Sequence, residues 1–156
     1  MGRVEERLVE LGLELPPVPK PVANFLSYRR VGSLLYLSGQ GPRDAEGKIK
    51  CGRLGRDCSV ESAYADARLI GLQILATAKQ AIGSLDGIEY VVKLFGMVNA
   101  ELDFVDHPKV INGCSDLLVE VLGEKGQHAR SAVGIGSLPA GMTVEIEAIL
   151  LIADGY

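Results

Sequence analysis

The stretch ARSAVGIGSLPAGMTVEIEAILLIA, Ala129 to Ala153, decides how this chain folds. It contains two runs of β-forming residues, 129–136 and 143–153, joined by the turn SLPAG. Strand alternation puts Arg130, Ala132, Gly134 and Gly136 on one face of the first run, and Ser131, Val133 and Ile135 on the other. The second run is apolar on both faces, with Glu145 and Glu147 set into it. A guanidinium is rarely buried without a partner. Arg130 therefore either pairs with Glu145 or Glu147 within the sheet or waits for an anion. The small residues on its face leave room beside it, and its planar fork fits a carboxylate with two parallel bonds.

Working outward from this stretch, a helix is expected from about Pro108 to Gly123, with Ile111, Cys114, Leu118 and Leu122 turned inward. Asp106 and His107 read as its amino cap. The apolar run YVVKLFGMVNA before it reads as a strand. A longer helix precedes that strand: Ser59 caps it, Glu61 suits its first turn, and Gly83 can end it. Its inward stripe is Ala63, Ala67, Ile70, Ile74 and Ala78. Nearer the amino end, FLSYRRVGSLLYLSGQGP is a hairpin with Gly32 at the bend, followed by a loop rich in glycine and charge. Residues 1–20 form an arm. Val4, Leu8 and Leu11 share a helical face, and Pro16, Pro17, Pro19 and Pro21 then impose an extended connector. The rest, 21–156, reads as one domain of order β-β, α, β, α, β-β.

This order implies an α+β fold with both helices on one sheet face. The other face is apolar as well, because the last strand is apolar on both sides. Such a face needs covering, so the chain is expected to form a homo-oligomer.

Composition narrows the function. The chain has 156 residues, 47% of them hydrophobic, and a net charge of -4. No apolar run reaches a membrane span and no signal peptide opens the chain, so a cytoplasmic protein is expected. The acidic balance and the lack of a basic stripe argue against a nucleic-acid partner; KIKCGRLGR is a short solvated loop. The three cysteines, Cys51, Cys58 and Cys114, make no metal pattern with His107 and His128 and read as free thiols, with Cys114 in the core. His128 reads as a rim residue at the strand's start. Arg29 and Arg30 read as a solvated hairpin face.

The segment HARSAVGIGSLPAGMTVEIEAI closely resembles the signature of the Rid family, the reactive-intermediate deaminases also called the YjgF family, and LYLSGQGP resembles that family's first motif. With the element order, the resemblance spans roughly residues 22–153. It implies a chorismate-mutase-like fold assembled as a homotrimer, with ligand sites in the clefts between subunits. It further implies that Arg130 binds a substrate carboxylate and that Glu145 helps hold the attacking water, Glu147 being structural. Ser38 and Gly39 match the pocket-lining SG, and Asn112 matches a helix asparagine near the site. Phe25 falls where the family has a site tyrosine, with Tyr28 a nearby substitute. Ala132 stands where many active members carry cysteine, leaving only a backbone carbonyl to contribute. The loops around 44–58 and 99–107 are longer than in compact members, and the arm is an addition, marking a divergent subgroup.

The activity so implied is hydrolysis of a small enamine or imine derived from an amino acid, giving a keto acid and ammonia, with no metal or organic cofactor. A non-catalytic trimer that binds small carboxylates is the alternative, favoured by Ala132 and Phe25. Endoribonuclease activity, historically attached to the family, fits poorly with the acidic charge and the lack of a basic, aromatic-studded surface.

Overall fold

The computed structural model describes residues 2–156; Met1, the first residue of the expected arm, lies outside the described residues. In chain order the elements are α1 (Arg3–Glu10), β1 (Tyr28–Val31), β2 (Leu34–Gln40), α2 (Val60–Ile82), β3 (Ile88–Asn99), α3 (His107–Leu122), β4 (Ala129–Ile135) and β5 (Val144–Ile152), with short 3-10 turns at 85–87, 123–126 and 139–141.

Local chemistry sets the ends of these elements. The Ser59 side chain accepts from the Ser62 N–H at the start of α2, and Gly83 closes that helix at φ 85°. Pro108 occupies the first turn of α3, where its missing N–H costs nothing. Asp106 stands at the cap position but makes no cap bond. Its carboxylate pairs with Lys109 instead, at 3.1 Å.

The strands form one mixed sheet in the order β1-β2-β5-β3-β4. β3 and β4 are parallel, joined by a crossover through α3, and every other pairing is antiparallel. β5, the last strand, enters between β2 and β3. Its two apolar faces suit the central place. Val144, Ile146, Ala148, Leu150 and Ile152 face the helices and are buried, while Ile149 and Leu151 lie half-buried on the other side.

Both expected helical stripes are buried under that sheet, including Ile70, Ile74, Ile111, Cys114 and Leu118. Helices α2 and α3 touch so closely at Gly113 that any Cβ there would collide with the Tyr64 backbone. The arm packs on the same body. Leu8 is buried, and Val4, Leu11, Leu13 and Leu15 rest on the core. Asp86 accepts from the backbone N–H groups of Arg3 and Val4, both at 2.9 Å. The sheet face away from the helices carries Tyr36, Tyr90, Val92 and Val133 exposed. Among the described residues nothing covers it. No helix is long and apolar enough to cross a membrane.

Candidate functional site

Two groups of candidate residues emerge, and the sheet holds them apart. Register decides this. Arg130, Ala132 and Gly134 pair with Leu94, Gly96 and Val98, which face the helices, whereas Glu145 pairs with Met97 on the opposite face. Directly paired residues project to the same side of a sheet. Arg130 and Glu145 thus lie on opposite faces, with β3 between their strands. The in-sheet pair of Arg130 with Glu145 or Glu147 does not form: among the described residues no carboxylate lies within ion-pair distance of Arg130.

At the first group, β4 is an edge strand and α3 crosses its helix-side face. The room expected beside Arg130 is largely filled by that helix. Ala132 packs against the core, and a Cβ on Gly134 would stand 2.5 Å from His107 Nε2. His107 is therefore more than a cap residue: its ring lies over Gly134 and meets Phe104 edge-on at 5.1 Å. The small residues of β4 answer to the close approach of α3.

The guanidinium of Arg130 bridges to the same helix. Nη1 donates to Ser115 Oγ at 3.0 Å and Nη2 to the Pro108 carbonyl at 3.4 Å. This leaves Nε–H and one hydrogen on each Nη without a protein partner among the described residues. Asn112 lies between those contacts at positions 108, 112 and 115, a spacing that puts all three on one helical stripe. Ser115 also meets His128 Nε2 at 2.9 Å, and His128 Nδ1 meets the Gly126 carbonyl at 2.6 Å. His128 is part of the arginine's setting rather than a rim residue. Burial, and secondarily the nearby Arg130 charge, holds its pKa below the ordinary histidine value. Strand alternation alone puts 128 in phase with 130, the signal that identifies it.

The second group surrounds an irregularity in the pairing of β2 with β5, between Leu37 and Gln40. Phe25, Ser38 and Gly39 line one recess there, of about 160 Å³, with Gln40, Gln73 and Thr77. Ser38 Oγ donates to the Leu26 carbonyl at 2.6 Å, and the Ser38 N–H to the Ser27 carbonyl at 3.0 Å. These bonds tie the segment carrying Phe25 to β2. Phe25 itself is exposed, and Tyr28 lies in a second groove with Phe25, Tyr36 and Glu147. A Cβ on Gly39 would sit 2.5 Å from Glu145 Oε1, so the glycine makes room for that carboxylate. Glu145 has no hydrogen-bond partner among the described residues. Burial first, and the charge of Glu147 second, push its pKa above the ordinary glutamate value.

A half-buried carboxylate with a raised pKa holds a proton more readily than an ordinary glutamate. A guanidinium with spare donors binds a carboxylate. One chain presents both, on separate surfaces.

Comparison with known proteins gives these surfaces a context. The family model described as "YjgF/chorismate mutase-like, putative endoribonuclease" matches residues 5–146. Protein TCP17 of Trypanosoma cruzi is 41% identical over 150 residues, which cover 96% of this chain and 94% of that one. Among solved structures, the Agrobacterium tumefaciens protein Atu1372, of unknown function, is 47% identical with a TM-score of 0.87, covering 96% of this chain and 93% of its own. A structure from Shewanella oneidensis MR-1, titled a "putative endoribonuclease", is 38% identical with a TM-score of 0.92, covering 97% of this chain and 100% of its own. The mixed five-stranded sheet with its helices agrees with that fold, and the chain belongs to the YjgF/chorismate mutase-like family.

Proposed function

We propose that this protein hydrolyses small enamines or imines derived from amino acids, releasing ammonia and a 2-keto acid. The observation that carries this reading is Arg130: a fixed cation with unused N–H donors and no carboxylate partner among the described residues. A substrate carboxylate supplies the missing partner.

The Glu145 surface belongs to the same site when it comes from a neighbouring copy. Neither group is complete within one chain, and the apolar sheet face needs a cover, so we place the site between subunits of a homotrimer. There Arg130 clamps the carboxylate, Asn112 flanks it, and Phe25 covers the substrate with Ser38 and Gly39 at the pocket wall. Glu145 and the Ala132 carbonyl hold the attacking water. Protonation of the imine nitrogen makes the carbon electrophilic; water adds to it, the carbinolamine loses ammonia, and the C=N bond becomes C=O. The substrate is already reactive, so orientation and one proton relay suffice. No step calls for a metal or an organic cofactor.

A second reading is a trimer that binds small carboxylates without turning them over. Ala132 offers no thiol and Phe25 no hydroxyl, which favours it. Ribonuclease activity, the name given to the family and to the Shewanella protein, has less support from these residues. The net charge is -4, and the two histidines are separately engaged, His107 against Phe104 and His128 with Ser115. The test is ammonia release from an enamine generated in situ from serine by a dehydratase, comparing wild type with Arg130→Ala. Acceleration by wild type alone supports the deaminase. No acceleration, with 2-oxobutanoate still bound, supports the binder. Cleavage of RNA by wild type, with neither ammonia release nor 2-oxobutanoate binding, would overturn both.

A further inference from the structure

The hydrogen bonds that join Arg130, Ser115 and His128 have a direction that can be deduced. His128 Nδ1 lies 2.6 Å from the Gly126 carbonyl, an oxygen that only accepts, so Nδ1 carries the ring hydrogen. In the neutral ring Nε2 then has a free lone pair, and the Ser115 hydroxyl, 2.9 Å away, donates to it. With its hydrogen so directed, Ser115 Oγ presents lone pairs to the Arg130 Nη1–H at 3.0 Å. The chain runs from guanidinium to hydroxyl to imidazole to carbonyl, each group donating to the next.

We propose that Ser115 and His128 are positioning residues that fix the Arg130 guanidinium for a substrate carboxylate; this rests on the reading of Arg130 as the carboxylate anchor. The chemistry of the tether is the reason. A carboxylate partner would hold the guanidinium equally well but would neutralise it, so an incoming anion would have to displace it. A hydroxyl holds it and leaves its charge uncompensated. The hydroxyl keeps its oxygen toward Arg130 because neutral His128 draws its hydrogen the other way.

The surroundings keep His128 in that state. From β4 it faces Arg130, a cation, and from the 123–126 turn it faces the Gly126 carbonyl. The charges nearby in sequence are committed elsewhere: Lys125 donates to the Ile88 carbonyl, Asp116 accepts from Tyr64, and Glu120 pairs with Arg68. Glu124, in the same turn, makes no ion pair among the described residues. Burial disfavours the charged ring more strongly than the Gly126 carbonyl favours it, and the Arg130 charge adds to burial. Protonation at Nε2 would turn a second donor onto Ser115 Oγ, so that two cations share one oxygen and the tether loosens.

The experiment is titration of the protein with 2-oxobutanoate, followed by calorimetry, for wild type, Arg130→Ala, Ser115→Ala, Ser115→Thr, His128→Leu and His128→Gln. Ser115→Ala and His128→Leu should each weaken binding about tenfold at pH 7, the size of one lost hydrogen bond to a charged group. Ser115→Thr keeps a hydroxyl, and His128→Gln keeps an acceptor for it, so both should bind within about twofold of wild type. Wild-type affinity should fall on acidification with a midpoint below the ordinary histidine value, and that acid limb should be missing from His128→Gln. Rotation of the Arg130 guanidinium, read from its NMR signals, should be slow in wild type and faster in Ser115→Ala, with or without ligand. If Arg130→Ala abolishes binding while Ser115→Ala and His128→Leu bind like wild type, the positioning role is overturned and the anchor reading stands. If wild type does not bind the keto acid, or Arg130→Ala binds it equally well, the anchor reading falls and the proposal with it. Loss of binding in all four Ser115 and His128 variants together with a lowered melting temperature, and no rescue by Thr or Gln, would mean a structural role and would also overturn it.

Discussion

The β4–α3 edge and the irregular end of β2 carry opposite charges in opposite conditions. Arg130 at the first is held by an oriented set of hydrogen bonds to Ser115 and Pro108. Glu145 at the second touches Gly39 but has no hydrogen bond among the described residues, and its desolvation raises its pKa. The cation is fixed by hydrogen bonds, and the acid is half-buried without one. β3 lies between their strands, roughly 10 Å of sheet, and the side chains leave opposite faces. A sheet can prepare two such groups independently and leave their meeting to assembly.

The largest effect should come from the cationic surface. Arg130→Ala removes charge-assisted bonds of about 1.5–3 kcal/mol each, so carboxylate affinity and kcat/KM should fall about a hundredfold. Steady-state deamination and calorimetry measure this. Should the variant act like wild type, the two surfaces have no common ligand.

A mixing experiment breaks or sharpens the comparison directly. Arg130→Ala and Glu145→Gln, each inactive alone, are unfolded together, refolded and assayed. If every site takes Arg130 from one subunit and Glu145 from another, random assembly restores about a quarter of wild-type turnover. Sites built within one chain would regain nothing.

Gly39→Ala should have a smaller and more local effect. The new Cβ falls 2.5 Å from Glu145 Oε1, the free end of a flexible side chain, which can swing away. Activity should drop roughly tenfold while thermal stability changes by less than about 1 kcal/mol. A large fall in melting temperature instead would mean that the β2 backbone, not the carboxylate, has to move.

The smallest effect is on stability against pH. The folded-state pKa of Glu145 is raised, by burial first and Glu147 second, so the folded state holds this proton more tightly than the unfolded chain. The resulting destabilisation is absent below the ordinary glutamate value of about 4.3 and grows as pH rises through the raised folded-state value. Glu145→Gln should therefore raise the melting temperature slightly at neutral pH, with the gain fading toward acid. Glu147→Gln should lower the Glu145 pKa, as carboxyl NMR titration would read. A Glu145 value unmoved by that change would leave burial as the whole cause.

The helices were legible because their signals are local. Ser59, Gly83 and Pro108 act within a turn of where they stand, and the stripes Ala63–Ala78 and Ile111–Leu122 repeat at 3.6 residues. The residues around Arg130 were less so. Its small neighbours suggested an open space, but Gly134 is small because His107 lies on it, and His107 is more than twenty residues away in sequence. Ser115 and His128 carry no motif of their own; the helix spacing of 108, 112 and 115 and the phase of 128 with 130, the signals that mark them, take their meaning only from the contact with Arg130. The Ser38–Gly39 match was readable as a motif, while its physical basis, the space that Gly39 leaves for Glu145, depends on a contact between β2 and β5.

By itself the sequence determined the elements, the ends marked by Ser59, Gly83 and Pro108, and the buried stripes, because helix and strand periodicity and terminal hydrogen bonding are properties of neighbouring residues. Alternation also set which residues of β4 share a face. Only the tertiary structure decided that β5 enters between β2 and β3, and that Arg130 registers with Leu94 while Glu145 registers with Met97. Alternation is fixed within a strand, but the relative phase of two strands depends on long-range pairing, where a shift of one residue exchanges the faces. That phase put Arg130 and Glu145 on opposite sides of one sheet.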